Sequence, residues 1–208
     1  MRHRFFDVAF TPAVKAVQTR RGSRAGYAAV QGDATEGAPA DMLGEREIAF
    51  IAARDSFYLA SVSETGWPYV QHRGGPVGFV RHLDNRTIGW PEYAGNRQYV
   101  SIGNAAANDR VAMIFMDYVH QRRLKVLGHM RAYSPGEQPD LALRLGIERD
   151  QAAGEGFVLV RIEAFDWNCP QHITPRFSEA ELEEVVAPLY ARIAELESQL
   201  NTLNPTPG

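Results

Sequence analysis

Between Phe57 and Trp167 the chain is cut into short apolar runs by turn residues, and few architectures accept that pattern. The runs 57–63, 69–73, 78–83, 87–90, 111–116, 124–133 and 157–167 each read as a strand. Glu64-Thr65-Gly66, Gly74-Gly75-Pro76 and Asp84-Asn85 supply the breaks between them. The segment 97–107, rich in small residues, is the one helical crossing expected early in the series, and a short helix at 139–145 precedes the last strand. That is too little strand–helix alternation for a doubly wound parallel sheet, and no G-x-G-x-x-G or internal repeat is present. Six or more short strands at this spacing predict a mainly β fold, a compact antiparallel barrel with flanking helices. The continuous apolar run 111–116 predicts a strand buried on both faces.

The flanks read differently. Aromatic anchors Phe5, Phe6, Phe10 and Tyr27 and a short helix near 12–19 lead into an exposed Gly/Ala/Asp-rich loop at 31–40. Asp41 is expected to start a helix, with Glu45 and Glu47 in its first turns and Ile48, Phe50 and Ile51 on its apolar face; Asp55-Ser56 ends it. Past residue 175, Ser178 with Glu181 three residues on forms a capping-box pattern. Leu182, Val186, Leu189, Ile193, Leu196, Leu200 and Leu203 follow at alternating spacings of four and three, a heptad seam. Pro188 inside it is expected to kink or split the helix. The seam either covers the chain's own barrel or pairs with another subunit. The expected organisation is an extension over 1–40, a barrel domain over 41–175 and a helix over 176–208.

Composition narrows the function. In 208 residues, 22 Lys+Arg against 25 Asp+Glu leave a net charge of −3, which gives no general attraction to nucleic acid or membrane. An anion site must therefore come from local clustering. The single cysteine, Cys169, excludes an intrachain disulfide and a Cys-rich metal centre, and no Cys-His-Asn spacing supports it as a nucleophile. The six histidines show no H-E-x-x-H pattern, so no metal site is expected. No apolar run is long enough to span a bilayer, and a cytoplasmic protein is expected.

Three basic or amide clusters remain. In 69–73 alternation puts Tyr69, Gln71 and Arg73 on one strand face and Val70 and His72 on the other, with Gly74-Gly75 leaving amides open to a ligand. Gly95-Asn96-Arg97-Gln98 opens the helical segment, where free amides and the helix dipole favour an anion; Arg97 adds a fork for phosphate and Ser101 a hydroxyl one turn on. Arg123, Lys125, His129 and Arg131 line one face of 124–133. Trp167 and Gln171 flank the last strand's end, suited to stacking on a ring and reading its edge. Each cluster taken singly also reads as a solvated strand end, a helix cap or an outer face.

Taken together, Gly66-x-Pro68-x-x-Gln71-His72-Arg73-Gly74-Gly75, Gly95-Asn96-Arg97-Gln98 and Arg123-Leu124-Lys125-Val126-x-Gly128 resemble the pyridoxamine 5′-phosphate oxidase-like family of FMN-binding split-barrel proteins. The likeness is to the subgroup with an N-terminal extension, here including Phe10-Thr11-Pro12-Ala13-Val14 and Gly22-Ser23-Arg24. It implies a six-stranded antiparallel split barrel, a homodimer, and FMN at the subunit interface, with FAD or F420 as other flavin choices. By this resemblance Gln71, His72, Arg73 and Gly74 line the ring and ribityl chain. Asn96, Arg97, Gln98 and Ser101 sit at the phosphate, Arg123 takes a position facing the flavin, and Trp167 and Gln171 reach the cofactor from the partner. Two departures stand out. Gln71 replaces a basic residue of the oxidases, and Arg97-Gln98 replaces a basic pair. The oxidases' C-terminal substrate-binding segment is also replaced by the heptad helix. The implied function is an FMN-dependent oxidoreductase on a small organic substrate; the alternative is a non-catalytic flavin- or haem-binding carrier or sensor.

Overall fold

The strand-like runs pair into one antiparallel sheet in the computed structural model, which describes residues 4–31, 40–134, 136–147, 155–167 and 171–203. The strands are β1 (Ser56–Val62), β2 (Pro68–Gly74), β3 (Arg81–Asp84), β4 (Thr87–Glu92), β5 (Arg110–Asp117), β6 (Arg122–Tyr133) and β7 (Gly156–Trp167). Their order is β2-β1-β5-β6-β7-β4-β3. The fold class is as expected, but among the described residues the strands number seven rather than the six that the resemblance implies, and the row is open, with β2 and β3 at its two ends. The short β3 is held to β4 alone, and each of the seven runs read from the sequence has its strand.

Side-chain parity along this row defines its inside. Leu59 of β1 stands opposite Met113 of β5, Met113 opposite Val126 of β6, and Val126 opposite Phe165 of β7. All four are buried. Phe57 ties the interior together: its ring lies 5.8 Å from Phe79, 4.9 Å from Trp90 and 5.1 Å from Phe115. Each such buried aromatic or aliphatic side chain is worth about 1.5–3 kcal/mol. A bulge between Leu127 and Gly128 lets the two longest strands stay paired through it. At Gly128 a Cβ would stand 2.6 Å from the Arg161 carbonyl oxygen, so that position accepts only glycine without a shift.

β5 corrects the expectation of burial on both faces. Val111, Met113, Phe115 and Asp117 are buried, while Ala112, Ile114 and Met116 are only partly covered. An apolar run reads alike whether its second face meets a full layer or a thin one.

The helices in this part of the chain are α1 (Arg4–Ala9), α2 (Pro12–Arg20), α3 (Arg24–Gln31), α4 (Glu45–Ala52), α5 (Val100–Ala107) and α6 (Pro139–Arg144). α2 and α6 fall where expected. α3 occupies the approach to the predicted loop, whose residues 32–39 lie outside the described set. α4 begins later than Asp41 because Gly44 caps it, its amide donating to Glu47 Oε2 at 3.0 Å. Asp41 instead holds the extension to the sheet, accepting the amides of Arg4 and Phe165 at 3.1 Å each. Phe6, Phe10 and Tyr27 form an aromatic cluster that joins α1 to α3.

Residues 118–121 and 171–203 form a separate compact unit. Within it Gln121 Nε2 donates to the Ile173 carbonyl at 2.6 Å, and the Arg176 guanidinium lies 5.2 Å from the Tyr118 ring. The helix α7 (Glu179–Leu203) starts as the sequence indicates: Ser178 Oγ accepts the Glu181 amide at 3.3 Å, and Glu181 Oε2 accepts the Ser178 amide at 2.8 Å. Pro188 lies inside it without splitting it. Among the described residues no helix is long and apolar enough to cross a membrane.

Candidate functional site

The open row leaves a gap between its ends, and charged groups meet across it. β2 presents Tyr69, Gln71 and Arg73 on the same face as Phe57, Leu59 and Ser61, because each is the cross-strand partner of one of them. Past Leu59 that face has no further strand beside β2, so its side chains end at a cavity instead of a core. Arg73 Nη1 reaches Glu92 Oε1, at the end of β4, at 2.5 Å. Both side chains are largely buried. Arg73 Nε and Glu92 Oε2 are buried without a hydrogen-bond partner, two polar atoms left for something else.

The loop after β4 forms the opposite wall. Asn96 Oδ1 accepts the Gln98 amide at 3.2 Å, an Asx turn that brings the chain round. Arg97 and Tyr99 both take left-handed backbone conformations, with φ of 58° and 51°. Each costs about 1–2 kcal/mol for a residue with a side chain, a strain usually found where a site is being shaped. The expected helix from Arg97 is corrected by this turn: α5 starts at Val100, so Arg97 stands ahead of the helix and is not part of its first turn.

Arg97 Nε lies 3.1 Å from Tyr99 Oη and 3.0 Å from Glu155 Oε1, and the Tyr99 hydroxyl donates to the same carboxylate oxygen at 2.7 Å. Tyr99 first, and Glu155 after it, hold the Arg97 guanidinium above its ordinary value, so it stays a cation throughout the usual pH range. Its side chain is 73% exposed, and its two Nη groups have no partner among the described residues. Beneath this rim the wall is neutral. Ser101 is fully buried and donates to Gln71 Oε1 at 3.0 Å, while Asn104 Nδ2 donates to Ser61 Oγ at 3.0 Å, pinning α5 to β1 and β2.

These groups enclose a cavity of about 130 Å³, lined by Gln71, Arg73, Glu92, Asn96, Arg97, Gln98 and Glu155 among others. Glu92, Tyr99 and Glu155 also border a cavity of about 380 Å³, whose far wall is Ile102, Ala132, Phe157 and Val158. A polar compartment thus shares residues with a more apolar one. A third cavity, of about 360 Å³, lies between α4 and β3 and gathers none of the predicted residues.

Not every predicted residue comes here. His72 points from the other face of β2 and meets the Tyr58 ring edge-on at 5.5 Å. Gly74 is spent in the ladder opposite Ser56, and the Gly75 amide donates to the Asp55 carbonyl at 2.8 Å. The expected open amides are therefore occupied. Gly75 is required by packing, since a Cβ there would stand 2.7 Å from the Phe79 ring.

Arg123 sits on the outer face of β6, opposite Met116, with β5 and β1 intervening before β2. Two others of that stripe have local partners: Lys125 Nζ is 2.9 Å from Asp166 and 4.4 Å from the Phe5 ring centre, and His129 Nδ1 is 2.9 Å from Asp109; Arg131 is exposed. Trp167 packs on Phe50 at 4.7 Å and donates from Nε1 to Glu47 Oε1 at 2.7 Å, with Arg46 over its ring. Gln171 belongs to the second unit and is exposed; 168–170, with Cys169, lie outside the described residues.

Sequence reasoning does not reach Glu92, Tyr99 and Glu155. An acid ending the apolar strand 87–92 is a signal for Glu92, whereas nothing local marks Glu155.

No curated protein sequence matches the chain. Among solved structures, HupZ from Group A Streptococcus is 15% identical over 65% of this chain and 100% of its own, with a TM-score of 0.48. An FMN-binding protein from Syntrophomonas wolfei is 12% identical over 60% and 88%, with a TM-score of 0.41. The heme storage protein HutZ from Vibrio cholerae is 18% identical over 60% and 94%, with a TM-score of 0.39. The pattern of the pyridoxamine 5′-phosphate oxidase family matches residues 44–167, a span that contains all seven strands and the walls of the cavity, and the chain belongs to that family.

Proposed function

We propose that the chain binds FMN and serves as an oxidoreductase on a small organic substrate, with the flavin shared between two copies. The observation that carries this reading is Arg97, a permanent cation at the mouth of the polar cavity with both Nη groups unengaged. A guanidinium fork matches a phosphate in geometry as well as charge. Arg73 Nε and Glu92 Oε2 offer one donor and one acceptor to ligand hydroxyls, so the polar part of FMN suits the residues present. At about 130 Å³ the polar cavity is too small for the whole molecule, since ligand cavities run to roughly 300–1,000 Å³. The residues of this cavity would hold the phosphate and ribityl hydroxyls, and the ring would need room beyond it.

Two copies reconcile the family resemblance with the fold. The resemblance sets Arg97 and Arg123 at one flavin, yet within one chain Arg97 opens with the Gln71 face and Arg123 stands on the other. A neighbouring copy supplying Arg123 removes the conflict. When bound, FMN supplies the hydride chemistry; the protein holds the phosphate, orients the ring and limits water. The Tyr99 hydroxyl, one of the groups lining the cavity, already donates its proton to Glu155. The neutral Gln71–Ser101 pair and Gln98 leave the site less basic than a site for a second phosphate-bearing substrate requires, which favours an uncharged or weakly charged one.

Arg97→Ala is expected to weaken FMN binding by about tenfold or more, read by quenching of flavin fluorescence, while leaving stability nearly unchanged. Arg123→Ala is expected to weaken it as well. Mixing the two variants then restores one intact site per mixed pair if the residues come from different copies. An unchanged dissociation constant in Arg97→Ala defeats the flavin assignment, and failure of the mixture to recover binding defeats the sharing. A protein that holds flavin tightly but resists reduction by nicotinamides favours the carrier reading.

A further inference from the structure

The outer surface of α7 carries a second signal, independent of the flavin reading. Leu182, Leu189, Ile193, Leu196 and Leu200 are between 41% and 60% exposed, although they recur with heptad spacing along one stripe. Setting Leu182, Leu189 and Leu196 at d places Val186, Ile193 and Leu200 at a. β-Branched residues at a with leucine at d are the combination that favours two parallel strands. The neighbouring positions agree. Val185, Arg192 and Gln199 fall at g, and Glu183, Tyr190 and Glu197 at e.

We propose that α7 pairs with α7 of a second copy as a parallel, in-register two-stranded coiled coil. In that arrangement each g residue meets the e residue five positions on in the partner. Arg192 then faces Glu197 of the partner subunit, and Val185 faces Tyr190 of the partner subunit. Val185 and Tyr190 are 64% and 68% exposed in the single chain, large apolar surfaces outside the a/d stripe that this register covers. The antiparallel arrangement does the opposite: it sets Glu183 against Glu197 and Arg192 against Arg192, both repulsive. Charge thus selects orientation and the seam supplies attraction. Pro188 falls at c, away from the seam; it interrupts the backbone ladder there, and the seam positions Leu189, Ile193, Leu196 and Leu200 all follow it. Arg192 bonds Glu195, at c, within its own helix at 2.5 Å, a contact that pairing with Glu197 of the partner subunit shares or exchanges. A parallel pair has a two-fold axis, the symmetry of an isologous dimer.

Cross-linking in the full chain tests this. Leu196→Cys in a Cys169→Ser background is expected to oxidise to a disulfide-linked dimer at micromolar protein, because facing d positions lie within disulfide reach. Arg192→Glu added to it is expected to lower the yield several-fold, and Arg192→Glu with Glu197→Arg to restore it. Absence of the cross-link overturns the pairing. A cross-link that forms only when Leu182→Cys and Leu200→Cys chains are mixed overturns the parallel orientation, and failure of the charge exchange to restore the yield overturns the register. Flavin content of the same samples is read separately, so loss of flavin and loss of pairing are distinguishable.

Discussion

The two faces of the sheet carry similar basic side chains and use them in opposite ways. On the outer face of β6, Lys125 and His129 each meet an acid beside them, Asp166 and Asp109, and the Phe5 ring lies against the Lys125 ammonium. On the inner face at the edge of the row, Arg73 and Arg97 also meet acids, but a cavity remains between them with two buried polar atoms unsatisfied and one cation open to solvent. A basic stripe is therefore not a site by itself. What separates Lys125 and His129 from Arg73 and Arg97 is whether the local pairing is complete; Arg123 on the outer face, its Nε also buried without a hydrogen-bond partner, goes with the second group.

That contrast is open to attack by mutation, beginning with the most consequential position. Glu92→Gln leaves Arg73 buried beside a neutral group and is expected to cost about 3 kcal/mol in urea denaturation, since breaking a buried pair strands a charge. Removing both charges, with Arg73→Met and Glu92→Leu together, is expected to recover most of that loss; if it does not, the pair contributes more than the relief of an orphaned charge. Gly75→Ala comes next, at about 1–3 kcal/mol, because the new methyl must displace the Phe79 ring. If that variant instead lost FMN affinity with stability intact, the glycines would belong to the site and not to the packing. The smallest effect is expected at Lys125→Met on the outer face, below about 1 kcal/mol by thermal melting, as for partly exposed ion pairs generally. A loss as large as that of Glu92→Gln would erase the distinction between the faces.

Much of the site's inner wall is legible before folding. Alternation separates Tyr69, Gln71 and Arg73 from Val70 and His72, and β2 keeps that division because the pleat has a period of two. The cap of α7 is equally local: Ser178 and Glu181 are three residues apart and need nothing else to find each other. Parity within one strand says nothing about parity between strands. Whether Arg123 shares a face with Gln71 depends on the registers linking β2, β1, β5 and β6, and those registers put it on the other side. Arg97 departs from its expected helical place for a different reason. A left-handed turn at a non-glycine residue has no composition signal, because the surrounding contacts and not the residue's preference hold it there.

Short-range periodicity and punctuation therefore determined the strands, the class of fold and the heptad seam, since each depends on neighbours within a turn or a strand. Long-range pairing decided the rest. It brought Glu92 to Arg73 across the open ends of the row and Glu155 to Arg97, and it joined Ser101 to Gln71 across 30 residues of chain. Those contacts cost chain entropy that only a completed core repays, so no stretch of sequence carries them by itself.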